Sequence, residues 1–247
     1  MTQQATLGTN RTGMAVAAQR GQEMLAGMDE FPPTSQGSAK DIAMVRMAYA
    51  QEAEPLGSVP QPTGMKNKVR TAVKAITGAM PTLLMDKLGE RLAFERTGAR
   101  LYEALVSKYE AFGSFDGGPS KVDLEHILQE EYGHFTLLQS VIERLGGDPT
   151  AVTPSANLHA TASHGVMQVI VDPRTTLLQS LEAILIAELA DNACWEALMA
   201  LAQEAGEDTL MTQCEQALLT EQEHLAKVQS WLAAGQGRSS TMRNTVG

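Results

Sequence analysis

The chain has very little cysteine: two residues in 247, Cys194 and Cys214, with no CxxC pair. That excludes a disulfide scaffold, a zinc ribbon and any four-thiolate iron centre. Long apolar runs are missing too. None approaches the roughly 20 residues that cross a bilayer, so no membrane span is expected. The opening MTQQATLGTNRTG has no apolar signal core, which makes a cytoplasmic location the expectation. Basic residues are scarce, and the formal net charge of −10 argues against nucleic acid as a partner, because phosphate binding needs a basic face. The deficit is local: residues 1–79 carry 8 Lys+Arg against 6 Asp+Glu, whereas residues 80–247 carry 11 against 23.

What is present suits a globular protein. Hydrophobic residues make up 43% and charged residues 19%, enough to bury one core of about 150 to 200 residues with an appendage. Residues 1–80 are rich in Gln, Gly, Thr, Ser and Pro, with breaks at FPPTSQGS and PLGSVPQPTG, and read as a partly irregular arm. Two short helices are predicted in it, Ala39 to Glu54 and Asn67 to Ile76. The basic stretch MKNKVRTAVKAI reads as a helix laid on an acidic body. Residues 81–235 form the main domain, and 236–247 a flexible tail.

From Pro81 onward, apolar residues recur at three- and four-residue spacing, the helical period. The fold class is therefore all-α, with four long helices. The first runs about Pro81 to Phe112. The second starts at Ser120, with Asp123 completing a capping box, and stops at Gly146. The third opens at Asp172 as N-cap with Pro173 following and ends near Gly206. The fourth runs about Asp208 to Ala234. Short loops make the first and last pairs antiparallel hairpins. The connection Thr150 to Val171 is long enough to cross the length of a four-helix bundle, with a short element around Met167 to Val171.

The two hairpins repeat one another. The first helix carries Glu95, then Tyr102 seven residues on, then Glu-Ala-Leu; the third carries Glu188, Trp195 and the same Glu-Ala-Leu. The second and fourth each carry Glu-x-x-His, as Glu131–His134 and Glu221–His224. The separations, 36 residues from Glu95 to Glu131 and 33 from Glu188 to Glu221, differ only by loop length. Glu and His three apart project from one helical face about one turn apart. Folding each hairpin brings its carboxylates to similar heights, so four Glu and two His converge on the axis. Hard oxygen ligands mixed with imidazole suit iron or manganese; zinc fits but offers no redox chemistry. Two divalent ions also neutralise four glutamates that could not otherwise be buried together.

This E…ExxH…E…ExxH arrangement closely resembles the ferritin-like di-iron carboxylate superfamily over about residues 81 to 234. Its Glu-x-x-His segments look most like rubrerythrin-type and related uncharacterised bacterial ferritin-like proteins. The resemblance implies a ferritin-like bundle with one long crossover, holding two Fe ions (or Mn) on Glu95, Glu131, His134, Glu188, Glu221 and His224. It implies a redox protein reacting with O2 or peroxide, as a ferroxidase or a rubrerythrin-like peroxide reductase with an external electron donor, and a homo-oligomer. A di-iron oxygenase, a manganese catalase and a structural bundle with an inert site are the other readings.

Neighbouring residues are open to two roles each. Asp191, three after Glu188, stands where rubrerythrin-like proteins have a further glutamate ligand, and is otherwise a buried hydrogen-bonding group. Glu130 stands where di-iron hydroxylases carry an Asp that orients a ligand histidine, a position filled by Thr220 in the fourth helix, and is otherwise a solvated side chain. Tyr102 and Trp195, about 10 Å along the axis at roughly 1.5 Å per residue, relay electrons or simply pack. Cys194 and Cys214 fall at one height, as a redox pair or as two buried thiols. His126, His159 and His164 lack ligand spacing with the six and read as surface or capping residues.

Overall fold

The computed structural model describes residues 13–32, 34, 37–60 and 81–241. Among these residues the chain forms seven α-helices and no strand. Helix α1 is Ala18–Glu30, preceded by a 3-10 turn at Met14–Ala17, and α2 is Ala39–Glu52. Then come α3, Pro81–Phe112, α4, Lys121–Leu145, α5, Pro154–Val171, α6, Leu177–Glu204, and α7, Asp208–Thr241. The chain divides into two compact units, Gln3–Pro55 and, with the first two residues, Leu56–Gly247. None of the helices among the described residues is long and apolar enough to cross a membrane.

In the smaller unit, α2 begins with a reciprocal capping box in which Ser38 accepts from the Asp41 amide and Asp41 accepts from the Ser38 amide. It ends at Glu52, close to its expected end. Helix α1 was not expected, because its few large apolar residues, Met24, Leu25 and Met28, fall in one short Gly-interrupted stretch and none of them is buried. The predicted helix Asn67 to Ile76 and the basic stretch around it lie outside the described residues.

In the larger unit, α3 packs most extensively on α4 and α6 on α7; α5 lies against α3 and α6. Two apolar clusters fix the directions. Helix α3 meets one cluster through Leu84, Leu88 and Leu92 and then the other through Leu101, Tyr102 and Leu105. Helix α4 meets them in the opposite order, Leu124 and Ile127 before Leu138, Val141 and Ile142. Likewise α6 runs from Leu181 and Ile184 to Trp195 and Leu198, and α7 runs back from Leu210 and Cys214 to Val228 and Leu232. Each hairpin is therefore antiparallel. Each of α3, α4, α6 and α7 crosses from one apolar cluster to the other, and the acidic and histidine residues lie in the interval, while α5 joins the first cluster alone through Val166 and Ile170. Burying a Leu contributes about 1.5–3 kcal/mol relative to leaving it exposed, so the two clusters offset the cost of the polar interval between them.

Three helix boundaries depart from the sequence reading. The connection after α4 holds an 18-residue helix, α5, and not a short element at its end. Thr153 caps it through the Ala156 amide, Pro154 takes the first position, and Ala156, Val166 and Ile170 are its buried stripe. Its Ala, Ser, Thr and Gly content hides the period. Helix α6 starts at Leu177 and not beside Pro173, because Thr176 and Gln179 form a full capping box there. Asp172 instead closes a turn: its carboxylate accepts from the Arg174 amide, and Lys108 binds the Asp172 and Thr175 carbonyls at 2.6 and 2.9 Å. Helix α7 runs past Ala234 to Thr241, so residues 236–241 of the expected tail are helical. Gly235 permits this, since a Cβ there would lie 2.4 Å from Leu178 Cδ1.

Candidate metal centre

All six residues singled out by the repeat meet between the apolar clusters, and all are buried: Glu95, Glu131, His134, Glu188, Glu221 and His224. They form two three-residue sets whose ligand atoms lie within 4.8 Å of one another. One is Glu95, His134 and Glu221; the other is Glu131, Glu188 and His224. Each set takes residues from three helices and from both hairpins. Each Glu-x-x-His pair is thus split, its Glu serving the set opposite to its own His.

Both histidines present Nδ1 to the carboxylates. Nδ1 of His134 lies 2.7 Å from Glu221 Oε1 and 3.5 Å from Glu95 Oε2. Nδ1 of His224 lies 3.0 Å from Glu221 Oε2 and 3.7 Å from Glu131 Oε1. Glu221 therefore touches both rings, which stand 6.5 Å apart.

The electrostatics are those of acids crowded without water. Burial, with Glu221 and Glu95 beside it, pushes Glu131 well above the usual carboxylate range, and burial with Glu221 pushes Glu188 up to about 8. Burial also opposes the charge on Glu221, but its hydrogen bonds to His134 and His224 outweigh it and hold the acid at about 2. Burial lowers both histidines less than their carboxylate partners raise them, so His134 and His224 each come to about 9. Both oxygens of Glu95, Oε2 of Glu131 and Oε2 of Glu188 have no hydrogen-bond partner although buried. Unpaired buried carboxylate oxygens are costly. The donor set of four carboxylates and two imidazoles fits two divalent transition ions, which would fill these orphaned positions and neutralise the four glutamates.

Glu130 accepts from Nε2 of His224 at 2.9 Å and so backs that ring. Its other oxygen lies 3.4 Å from the exposed His126, which links the buried ring to the surface. The hydroxyl of Thr220, its counterpart, donates to the Gln216 carbonyl. Tyr102 donates to Glu188 Oε1, and burial with Glu188 beside it raises its phenol well above the ordinary value. Trp195 sets its edge against His134 at 5.5 Å, and its indole nitrogen has no partner. Asp191 is buried and joins Glu95, Glu131 and Glu221 in a further acidic group, yet its carboxylate is taken by Arg91. Cys194 is half-buried and Cys214 buried, and both are free thiols.

Three further residues shape the centre, and no repeat or motif marks them in the sequence. Arg91 is fully buried; it binds both the side chain and the carbonyl of Asp191, lies 3.8 Å from Glu95 Oε1 and rests 4.4 Å over the Phe94 ring. Its spacing four before Glu95 was the available clue. Asn192 bridges the α6 and α7 backbones, donating to the carbonyls of Glu188 at 2.9 Å and Glu221 at 3.1 Å. Gly98 makes room for Glu131: a Cβ there would lie 2.1 Å from its Oε2. Comparison with protein-family models, with curated proteins and with solved structures found no match for this chain.

Proposed function

We propose that α3, α4, α6 and α7 form a ferritin-like four-helix bundle, with α5 in its crossover, whose centre holds two transition-metal ions and reacts with O2 or peroxide. Iron is the first choice of metal and manganese the second. The observation that carries the reading is the pair of three-residue sets, each drawn from both hairpins, with buried carboxylate oxygens that nothing in the protein satisfies. Bound there, the metals would supply the redox chemistry with the oxidant.

The chain's own residues would bind, orient and insulate. Glu95, His134 and Glu221 would hold one ion and Glu131, Glu188 and His224 the other. Glu130 fixes the His224 ring with Nδ1 inward, and Tyr102 holds Glu188 by its Oε1. Through Glu130 and His126 a proton has a route between His224 and the surface. The leucine clusters on either side keep bulk water out.

The size of the space beside the centre favours a small oxidant. A pocket of about 10 Å³ lies against Glu131 and Glu188, walled by Phe94, Leu101, Ile184 and Ala187. That is roughly the room one water needs, so the space suits a very small molecule better than an organic one. An oxygenase would need this pocket to open, whereas a manganese catalase would not. Peroxide reduction would draw electrons from an external donor. The proposal includes a homo-oligomer in the cytoplasm; exposed Ile186, Leu189 and Leu219 on α6 and α7 offer an apolar surface for assembly.

The test is reactivity. Anaerobic protein loaded with Fe(II) and then given O2 or peroxide should develop near-ultraviolet absorbance within one turnover and consume oxidant in proportion to iron. Bound Fe(II) that stays unchanged under both oxidants would make the centre inert and leave the structural reading.

A further inference from the structure

A second polar cluster lies outside the six-residue centre. Glu90 on α3, His159 on α5 and Cys194 on α6 bring a carboxylate oxygen, an imidazole nitrogen and a sulfur within 4.8 Å of one another. His159 Nε2 is 3.2 Å from Glu90 Oε1. Glu90 is almost entirely buried, at 2% exposure, while the other two are half-buried and reach the solvent side. The Cys194 thiol bonds to Glu90, and burial first, then this carboxylate, raise it above its ordinary value while Arg91 pulls it down.

The internal repeat shows that these residues are not part of the bundle's common plan. The positions in the other hairpin that correspond to Glu90 and Cys194 are Ala183 and Leu101, both in the apolar core. Burying a carboxylate where the repeat has Ala costs stability, so the packing of α3 on α6 does not explain Glu90. Nor does the di-metal centre use them. Lys87 lies 2.5 Å from Glu90 Oε2, which leaves Oε1 turned to His159. A carboxylate held by one oxygen and free to ligate with the other is the usual arrangement behind a metal.

We infer that Glu90, His159 and Cys194 form a third metal site, separate from the di-metal centre and selective for a borderline-soft divalent cation of the zinc class. One thiolate, one imidazole and one carboxylate is a three-ligand set that leaves a fourth position for water. Bond lengths of about 2.0–2.3 Å at tetrahedral angles put ligand atoms about 3.3–3.8 Å apart; the Glu90–His159 pair already stands near that spacing, and the sulfur, within 4.8 Å, has at most a small distance to close. On binding, the Cys194 sulfur forms a bond to the metal and its proton passes to solvent. The thiolate and carboxylate offset the divalent charge, while half-exposed Lys87 stays at the other carboxylate oxygen with its own charge left to solvent. Because α5 supplies His159, the bound ion would tie that helix to α3 and α6. The sulfur ligand separates this site from the other, which has only oxygen and nitrogen donors.

Cobalt(II) is the probe, since only a thiolate ligand produces an intense near-ultraviolet charge-transfer band. The full-length protein titrated with Co2+ should show that band, and excess Zn2+ should remove it. Cys194→Ser should lose the band, as should His159→Asn at its half-exposed position, while Cys214→Ala should keep it. Zn2+ should also slow alkylation of Cys194. A wild-type protein that binds Co2+ without the band would overturn the site, and so would a band that survives Cys194→Ser or disappears with Cys214→Ala.

Discussion

The two hairpins, α3–α4 and α6–α7, share their core leucines and differ in the residues around the centre. Leu84, Leu88 and Leu105 on α3 answer to Leu177, Leu181 and Leu198 on α6, and all six are buried. Where the centre is built the match breaks: Arg91 faces Ile184 in the repeat, Gly98 faces Asp191, Tyr102 faces Trp195 and Glu130 faces Thr220. Every substitution favours one ligand set. Glu131, Glu188 and His224 have Gly98 for clearance, Tyr102 on a carboxylate and Glu130 behind the ring. Glu95, His134 and Glu221 have a guanidinium 3.8 Å from Glu95 and a tryptophan edge at His134. A fixed cation repels a metal, and an orienting carboxylate strengthens one. The two ions are therefore expected to load in sequence, the set containing His224 first.

Predictions follow from breaking that asymmetry. The largest effect should come from Arg91→Ala. It strands Asp191 in the core, and removing one partner of a buried pair costs about 3–5 kcal/mol; chemical denaturation of the apoprotein would measure it, and a loss below that of an ordinary surface change would mean the pair is not holding α3 to α6. Next is Gly98→Ala. Its Cβ collides with Glu131, overpacking costs about 1–3 kcal/mol, and the first metal should bind more weakly while the second is less affected. Calorimetric titration of both sites decides this. Smaller still, Glu130→Gln should weaken the first metal by about 10–100-fold, and Thr220→Ala should change neither.

The pH response compares the empty and loaded centres. His134 and His224 at about 9 give the folded apoprotein stability that is full below their ordinary 6.5 and lost as pH rises through 9. Glu188, raised from 4.5 to about 8, acts in the same direction, since its protonated form is the one the fold favours. The apoprotein melting temperature should fall between pH 6.5 and 9. In the loaded protein metal replaces those protons, so its curve should be flatter across that range. Equal slopes would show that the buried groups do not titrate together.

Much of this was legible in sequence for physical reasons. The three- and four-residue period with clear caps at Ser120 and Gly146 exposes α4, and the duplicated Glu and Glu-x-x-His bring out the six centre residues because a repeat is visible without knowing any contact. What stayed hidden depends on contacts between helices. Nothing near Arg91 in the chain announces Asp191, a hundred residues away. Gly98 looks like an ordinary helix weakness until Glu131 is seen to occupy the space of its missing Cβ. His159 has no ligand spacing along α5 and finds Glu90 only through packing. Helix α5 itself was obscured by small polar residues that carry little hydrophobic period.

The most direct test of the central claim is metal stoichiometry with stepwise affinity. Apoprotein titrated anaerobically with Fe(II) or Mn(II) should take up two ions per chain in two resolved steps, with His224→Ala abolishing the tighter step and His134→Ala the weaker. Fewer than one ion per chain, or full occupancy retained in both variants, would contradict the account.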